Sequence, residues 1–143
     1  MRSSEVRSKM VAAIEEITPD SQASHRDKFR ELRQGYREKR VSTDRFFAIK
    51  LNSVPARAEN MLATDLYQAG WDLMVFYSDV PGQEVEDRIC QDFERISQKL
   101  EGLPGTTADL AHIDLIPGGV DELDGILTAS YNVDTKYRLT SGV

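Results

Sequence analysis

An α+β fold is predicted by three features of the sequence: a C-terminal segment with strict apolar-polar alternation, two shorter alternating segments before it, and two stretches with apolar residues every three or four positions. Together they predict a mainly antiparallel sheet of about four strands, with two main helices packed on one face and a long C-terminal strand. A chain of 143 residues that is 40% hydrophobic and 29% charged is expected to form one soluble globular domain spanning 1–143. At this size a domain buries roughly two-thirds of the surface of its unfolded chain, enough to fold without disulfides. Cys90 stands alone, no apolar run approaches the roughly 20 residues of a membrane span, and the polar start Met1-Arg2-Ser3-Ser4-Glu5 has no apolar stretch after it. No membrane partner and a reducing cytoplasm are therefore the expectation.

The first helix is predicted over about Ser4 to Ile17, where Val6, Met10, Ala13, Ile14 and Ile17 form one stripe. Ser3 or Ser4 can cap it, and Thr18-Pro19-Asp20 stops it. Residues 18–44 lose periodicity and read as a basic arm or long loop, with a helical stretch conceivable at Asp27 to Gly35. The first strand runs from Arg45, with Phe47, Ile49 and Leu51 on one face, and Asn52-Ser53-Val54-Pro55 ends it. Residues 56–70 are ambiguous. From Gly70, Trp71, Leu73, Val75 and Tyr77 mark a second strand, and the apolar Met74 and Phe76 between them make it a central one. The second helix spans about Gln83 to Leu100 on the stripe Val85, Ile89, Phe93, Ile96 and Leu100, with Gly102 at its C-terminal end. A third strand covers Ile113 to Ile116 and is closed by Pro117-Gly118-Gly119.

The last strand is the most informative. From Leu127 to Leu139 the odd positions are Leu, Ala, Tyr, Val, Thr, Tyr and Leu, so Thr135 alone interrupts an apolar face. At about 3.3 Å per residue it would run for roughly 43 Å, whereas the usual size scaling gives a domain diameter of roughly 37 Å. Either one end leaves the parent sheet and pairs with a neighbouring subunit, or the strand bends through a bulge and wraps its own sheet. The first alternative makes the chain an assembly protein.

Catalytic signatures are missing: the sequence has no G-x-x-x-x-G-K-[ST], no G-x-G-x-x-G, no G-x-S-x-G and no H-E-x-x-H. His112 between Asp109 and Asp114 reads as an exposed or satisfied histidine before a metal ligand. Asp121, Glu122 and Asp124 read as an acidic turn, because their spacing does not fit a calcium loop. Cys90 reads as a small buried or half-buried hydrophobe. The expectation is a non-enzyme without cofactor or metal. Charge is segregated, with 11 Lys+Arg and 8 Asp+Glu in residues 1–45 against 7 and 16 in residues 46–143. The basic segment suits an acidic partner or nucleic acid, and the acidic body argues against wrapping nucleic acid with the main fold.

The order of elements, with Arg45-Phe46-Phe47-Ala48-Ile49, Leu73-Met74-Val75-Phe76-Tyr77, Val85-Glu86-Asp87-Arg88-Ile89 followed by Asp92, and the strand from Tyr131 to Leu139, resembles the tail terminator (tail-completion) proteins of long-tailed bacteriophages. The resemblance spans nearly the whole chain, with 18–44 least typical, and rests on a pattern of elements. It implies a structural virion protein of the neck, commonly a ring of six, that caps the tail tube, ends its polymerisation and joins tail to head. Its implied partners are copies of itself, the tail-tube protein and a head-side connector or head-closure protein, with DNA only passing through the channel, first in the host cytoplasm and then in the virion. Arg33, Arg37 and Arg40 are the candidate docking residues, the alternative being solvated surface. Tyr131, Val133, Tyr137 and Leu139 are candidates for the strand that joins subunits, the alternative being plain intramolecular core. Two rival functions are another neck protein, either head-closure or connector adaptor, and a small nucleic-acid-binding α/β module using the basic arm.

Overall fold

The computed structural model describes residues 1–17, 28–32, 45–57, 66–78, 83–123 and 125–139. In chain order these form helix α1 (Ser3–Glu15), strand β1 (Arg30–Glu31), β2 (Phe46–Arg57), β3 (Leu66–Ser78), helix α2 (Gln83–Glu101), a 3-10 turn (Leu103–Gly105), β4 (Leu110–Leu123) and β5 (Ile126–Arg138). The α+β class is as expected, but the sheet has five strands, not four, in the order β1-β2-β3-β5-β4. It is mixed, because β1 runs parallel to β2 while all other neighbours are antiparallel. Segment 18–44 therefore is not an arm throughout. Its described part holds Phe29 in the core at 2% exposure, and Leu32 N–H donates to the Phe47 carbonyl at 2.7 Å.

Alternation builds one core on one face of the sheet. Phe47 and Ile49, Trp71, Leu73, Val75 and Tyr77, Ile113 and Leu115, and Ala129, Tyr131, Val133 and Tyr137 are all buried, together with Val6, Met10 and Ile14 of α1 and Val85, Ile96 and Leu100 of α2. Both helices thus cover the same face, as the periodicity predicts. No serine caps α1: its N-cap residue is Arg2, whose backbone N–H donates to Glu5 Oε1 at 3.4 Å, and the Ser3 hydroxyl instead hydrogen-bonds the Tyr137 hydroxyl. Among the described residues, no helix is long and apolar enough to cross a membrane.

The long strand does not leave its sheet. Each of the thirteen residues of β5 pairs with β3 in unbroken register, and β4 flanks its other edge from Leu110↔Tyr137 to Leu123↔Ile126. The bulges fall on other strands, in β2 between Leu51 and Ala56 and in β4 at Leu110/His112 and Pro117/Val120. The size comparison misled because it assumed a sphere. Strands of 12, 13, 14 and 13 residues lie side by side, so the sheet as a whole is as long as β5. Thr135, the apparent defect in its face, is fully buried and paired: Trp71 Nε1–H donates to its Oγ1 at 3.0 Å, and its hydroxyl donates to the Ala69 carbonyl at 3.0 Å.

Candidate functional site

The one buried ionic centre among the described residues is saturated. Asp92, on the buried side of α2, accepts from Arg45 Nε at 2.9 Å and Nη2 at 3.2 Å, from the Tyr77 hydroxyl at 2.9 Å and from Arg95 Nη1 at 3.3 Å. Four donors on two oxygens leave little capacity for a substrate. Arg45 lies over the Phe29 ring, 5.8 Å from its centroid, and holds a left-handed backbone at φ 58°. Its N–H donates to the Phe76 carbonyl at 2.7 Å and its carbonyl accepts from Arg30 N–H at 3.1 Å. Burial first, and then the Asp92 charge, push the Tyr77 hydroxyl far above its ordinary pKa. The cluster clamps β1, β2, β3 and α2 together. Its bonds join elements far apart in sequence, as a structural lock does.

The two outer strands are closed by a side chain from each helix. Beyond the short cover of β1, Arg7 Nε of α1 donates to the Ile49 carbonyl at 3.2 Å while its Nη2 pairs with Glu31 at 2.6 Å. On the opposite edge, Glu101 Oε2 at the end of α2 takes the Leu115 N–H of β4 at 3.5 Å. Such covers discourage edge-to-edge association in the body of the sheet.

That protection stops at Ile49. From Lys50 to Arg57 the edge strand β2 has no fully buried residue and, among the described residues, pairs only with β3. Leu51 is 47% exposed and Val54 82%, the highest value among the exposed large hydrophobic residues. Pro55 does not end the strand, since an edge strand needs no N–H on its free side. On the far side of the sheet, α2 and the β4–β5 hairpin enclose an apolar groove of about 330 Å³ lined by Ile89, Phe93, Pro117, Val120, Ala129 and Tyr131. The Phe93 and Tyr131 rings stack at 5.9 Å. Burial, followed by the charges of Asp92 and Cys90, raises the Tyr131 hydroxyl to about 12.

Of the residues singled out in the sequence, Tyr131, Val133 and Tyr137 come together in the core of their own domain, at 5%, 1% and 0% exposure. Leu139 lies just past β5 and is 43% exposed. Because β5 is flanked on both edges, it offers no free edge to a neighbour, and the premise that made these residues a joining strand is corrected. Arg33, Arg37 and Arg40 lie outside the described residues, as does Asp124. Cys90 is exposed rather than buried. His112 is exposed, and no group of three or more metal-ligating residues occurs among the described residues. Sequence reasoning named Asp92 only as part of the family pattern, without its buried role, and missed the Lys50–Arg57 segment of β2. The first carried a legible signal, a carboxylate on an apolar helical stripe between Ile89 and Ile96. No protein-family model matches the chain, and no curated protein matches it.

Proposed function

We propose that the chain is a structural assembly protein of the tail-terminator type, a subunit that joins copies of itself in a ring on the end of a phage tail tube, halts its growth and presents a surface to the head-side connector. The observation that carries this reading is the Lys50–Arg57 half of β2. It is an edge segment with Leu51 and Val54 in solvent, next to the point where Arg7 bonds the Ile49 carbonyl, while Glu101 bonds the Leu115 N–H on the opposite edge. A domain that bonds its edges at two points and, among the described residues, leaves an apolar edge segment without a cover has a surface suited to a partner. The saturated bonding around Asp92 and the acidic balance of residues 46–143 agree with a scaffold beside a channel that DNA crosses without sticking.

Negative-stain microscopy of the protein mixed with tail tubes tests the proposal. Caps or rings at one tube tip are the expected result, and bare tips overturn it. Association with portal complexes instead of tubes would move the chain to the head-closure or adaptor role. Salt-sensitive retardation of DNA or RNA by the chain alone would favour the nucleic-acid module.

A further inference from the structure

We infer that Leu51 and Val54 of one copy seat in the groove between α2 and the β4–β5 hairpin of the next copy. The inference rests on the assembly reading in that it takes a second copy as the partner, and it names the surface that receives the bare segment. Three observations carry it. The first is position: β2 and β4 stand on opposite sides of the strand order β1-β2-β3-β5-β4, so the bare segment and the groove lie at opposite edges of one sheet. Contact between two such unlike surfaces is head-to-tail, and repeated it gives a ring where the rotation closes and an open helical array where it does not.

The second is shape and polarity. Leu51 and Val54 project from an exposed ribbon, whereas the groove is concave, about 330 Å³, and walled by Ile89, Phe93, Val120 and Tyr131. Val120 on its rim is itself 53% exposed. The third is charge. Lys50-Leu51-Asn52-Ser53-Val54-Pro55-Ala56-Arg57 carries two cations and no acid, while Glu94 lines the groove and the exposed Asp121 and Glu122 follow Val120 on β4. A basic, apolar ribbon and an acidic, apolar groove complement each other, whereas two ribbons or two grooves would repel. Charge therefore favours the head-to-tail contact over a symmetric dimer.

Cys90 lines the groove and is exposed, which makes it a native reporter. In the Val54→Cys variant, each copy carries one thiol on the ribbon and one in the groove. Treatment with a short bismaleimide, in solution over a concentration series and on capped tail tubes, is expected to give a ladder of covalent species beyond dimer. The ladder disappears in the double variant Val54→Cys/Cys90→Ser and in the wild type. Species that stop at dimer, persistence of the ladder in the double variant, or absence of cross-links on capped tubes would each overturn the contact. Val54 is 82% exposed, so the substitution leaves the fold intact, which circular dichroism verifies. Capped tubes without a ladder would refute the ribbon-in-groove contact while leaving the tail-terminator reading standing. A ladder with bare tubes would support the contact and refute that reading.

Discussion

Arg45 and Asp92 form a bidentate ion pair sealed inside the domain, with Nε to Oδ2 at 2.9 Å and Nη2 to Oδ1 at 3.2 Å, at 4% and 0% side-chain exposure. The pair is 47 residues apart in sequence and ties the start of β2 to the middle of α2. Arg45 reaches it from a left-handed backbone, a conformation that costs a non-glycine residue on the order of 1–3 kcal/mol and persists where surrounding contacts hold it. Here those contacts are the backbone bonds to Phe76 and Arg30 and the carboxylate itself.

Removing one partner is therefore expected to cost far more than the pair contributes. Asp92→Ala leaves a buried guanidinium beside Tyr77 with its principal anion gone, and a loss of about 3–5 kcal/mol is the expected size. Replacing both residues with apolar ones of similar volume removes the buried guanidinium together with the carboxylate and is expected to recover much of that loss. Urea unfolding of the two single variants and the double variant measures this directly. Equal destabilisation in single and double variants would refute the account.

Thr135 makes a milder test of the same logic. Thr135→Val keeps the shape of the side chain but strands the Trp71 Nε1–H that donates to it and frees the Ala69 carbonyl. An unpaired buried donor costs about 1–3 kcal/mol. Denaturant unfolding should register a loss in that range, and the tryptophan fluorescence should shift, since Trp71 is the chain's single tryptophan. An unchanged midpoint would mean that the hydroxyl is not needed where the alternation is broken.

How far the sequence exposed these features depended on whether a local signal and a tertiary contact agreed. The period-two pattern of β5 and the stripe of α2 placed both elements within a residue or two, because burial on one face dictates residue type at every step. Pro55 and Pro117-Gly118-Gly119 read as stops, yet β2 and β4 continue through them, since outer strands absorb a missing N–H and a bulge on their free side. β1 has only two residues and no periodicity to show, so Phe29 alone carried the hint that its segment docks. The partner question turned on which strand edge is bare, and an edge is defined by strand order, which is not written in any one strand. The length of β5 therefore pointed to a strand flanked on both edges, whereas among the described residues the uncovered segment is Lys50–Arg57 of β2.

The buried tyrosines predict an alkaline limit to stability. Folding raises the Tyr131 hydroxyl to about 12 and Tyr77 higher still, chiefly through burial, whereas an unfolded tyrosine ionises near about 10. Unfolded chains thus release these protons first. The stabilisation is fully present below about pH 10 and is lost as pH rises toward and past the folded values. In a spectrophotometric titration, Tyr77 and Tyr131 are expected to ionise only together with unfolding, as a cooperative step. Ionisation of Tyr77 and Tyr131 near about pH 10, with near-ultraviolet circular dichroism unchanged, would contradict the burial.

Adjacent glycines at the β4 bulge should answer differently to the same methyl group. A Cβ on Gly118 would fall 2.7 Å from the Ser130 carbonyl oxygen and 3.3 Å from its carbon, both backbone atoms of β5 that cannot swing aside. Gly119, one residue on, has nothing within 4 Å of the same position. Gly118→Ala must push β4 away from β5 at the mouth of the groove, and a loss of about 1–3 kcal/mol is the expected overpacking cost. Gly119→Ala is expected to be near neutral, within about 0.5 kcal/mol, as an open surface site. Because the displaced segment carries Pro117 and Val120, Gly118→Ala should also weaken the cross-linking of the Val54→Cys variant to Cys90, while Gly119→Ala leaves it unchanged. Thermal unfolding of both variants and the cross-linking gel together decide the matter: equal stability and equal cross-linking would show that the close approach of β4 to β5 at Ser130 shapes neither the fold nor the groove.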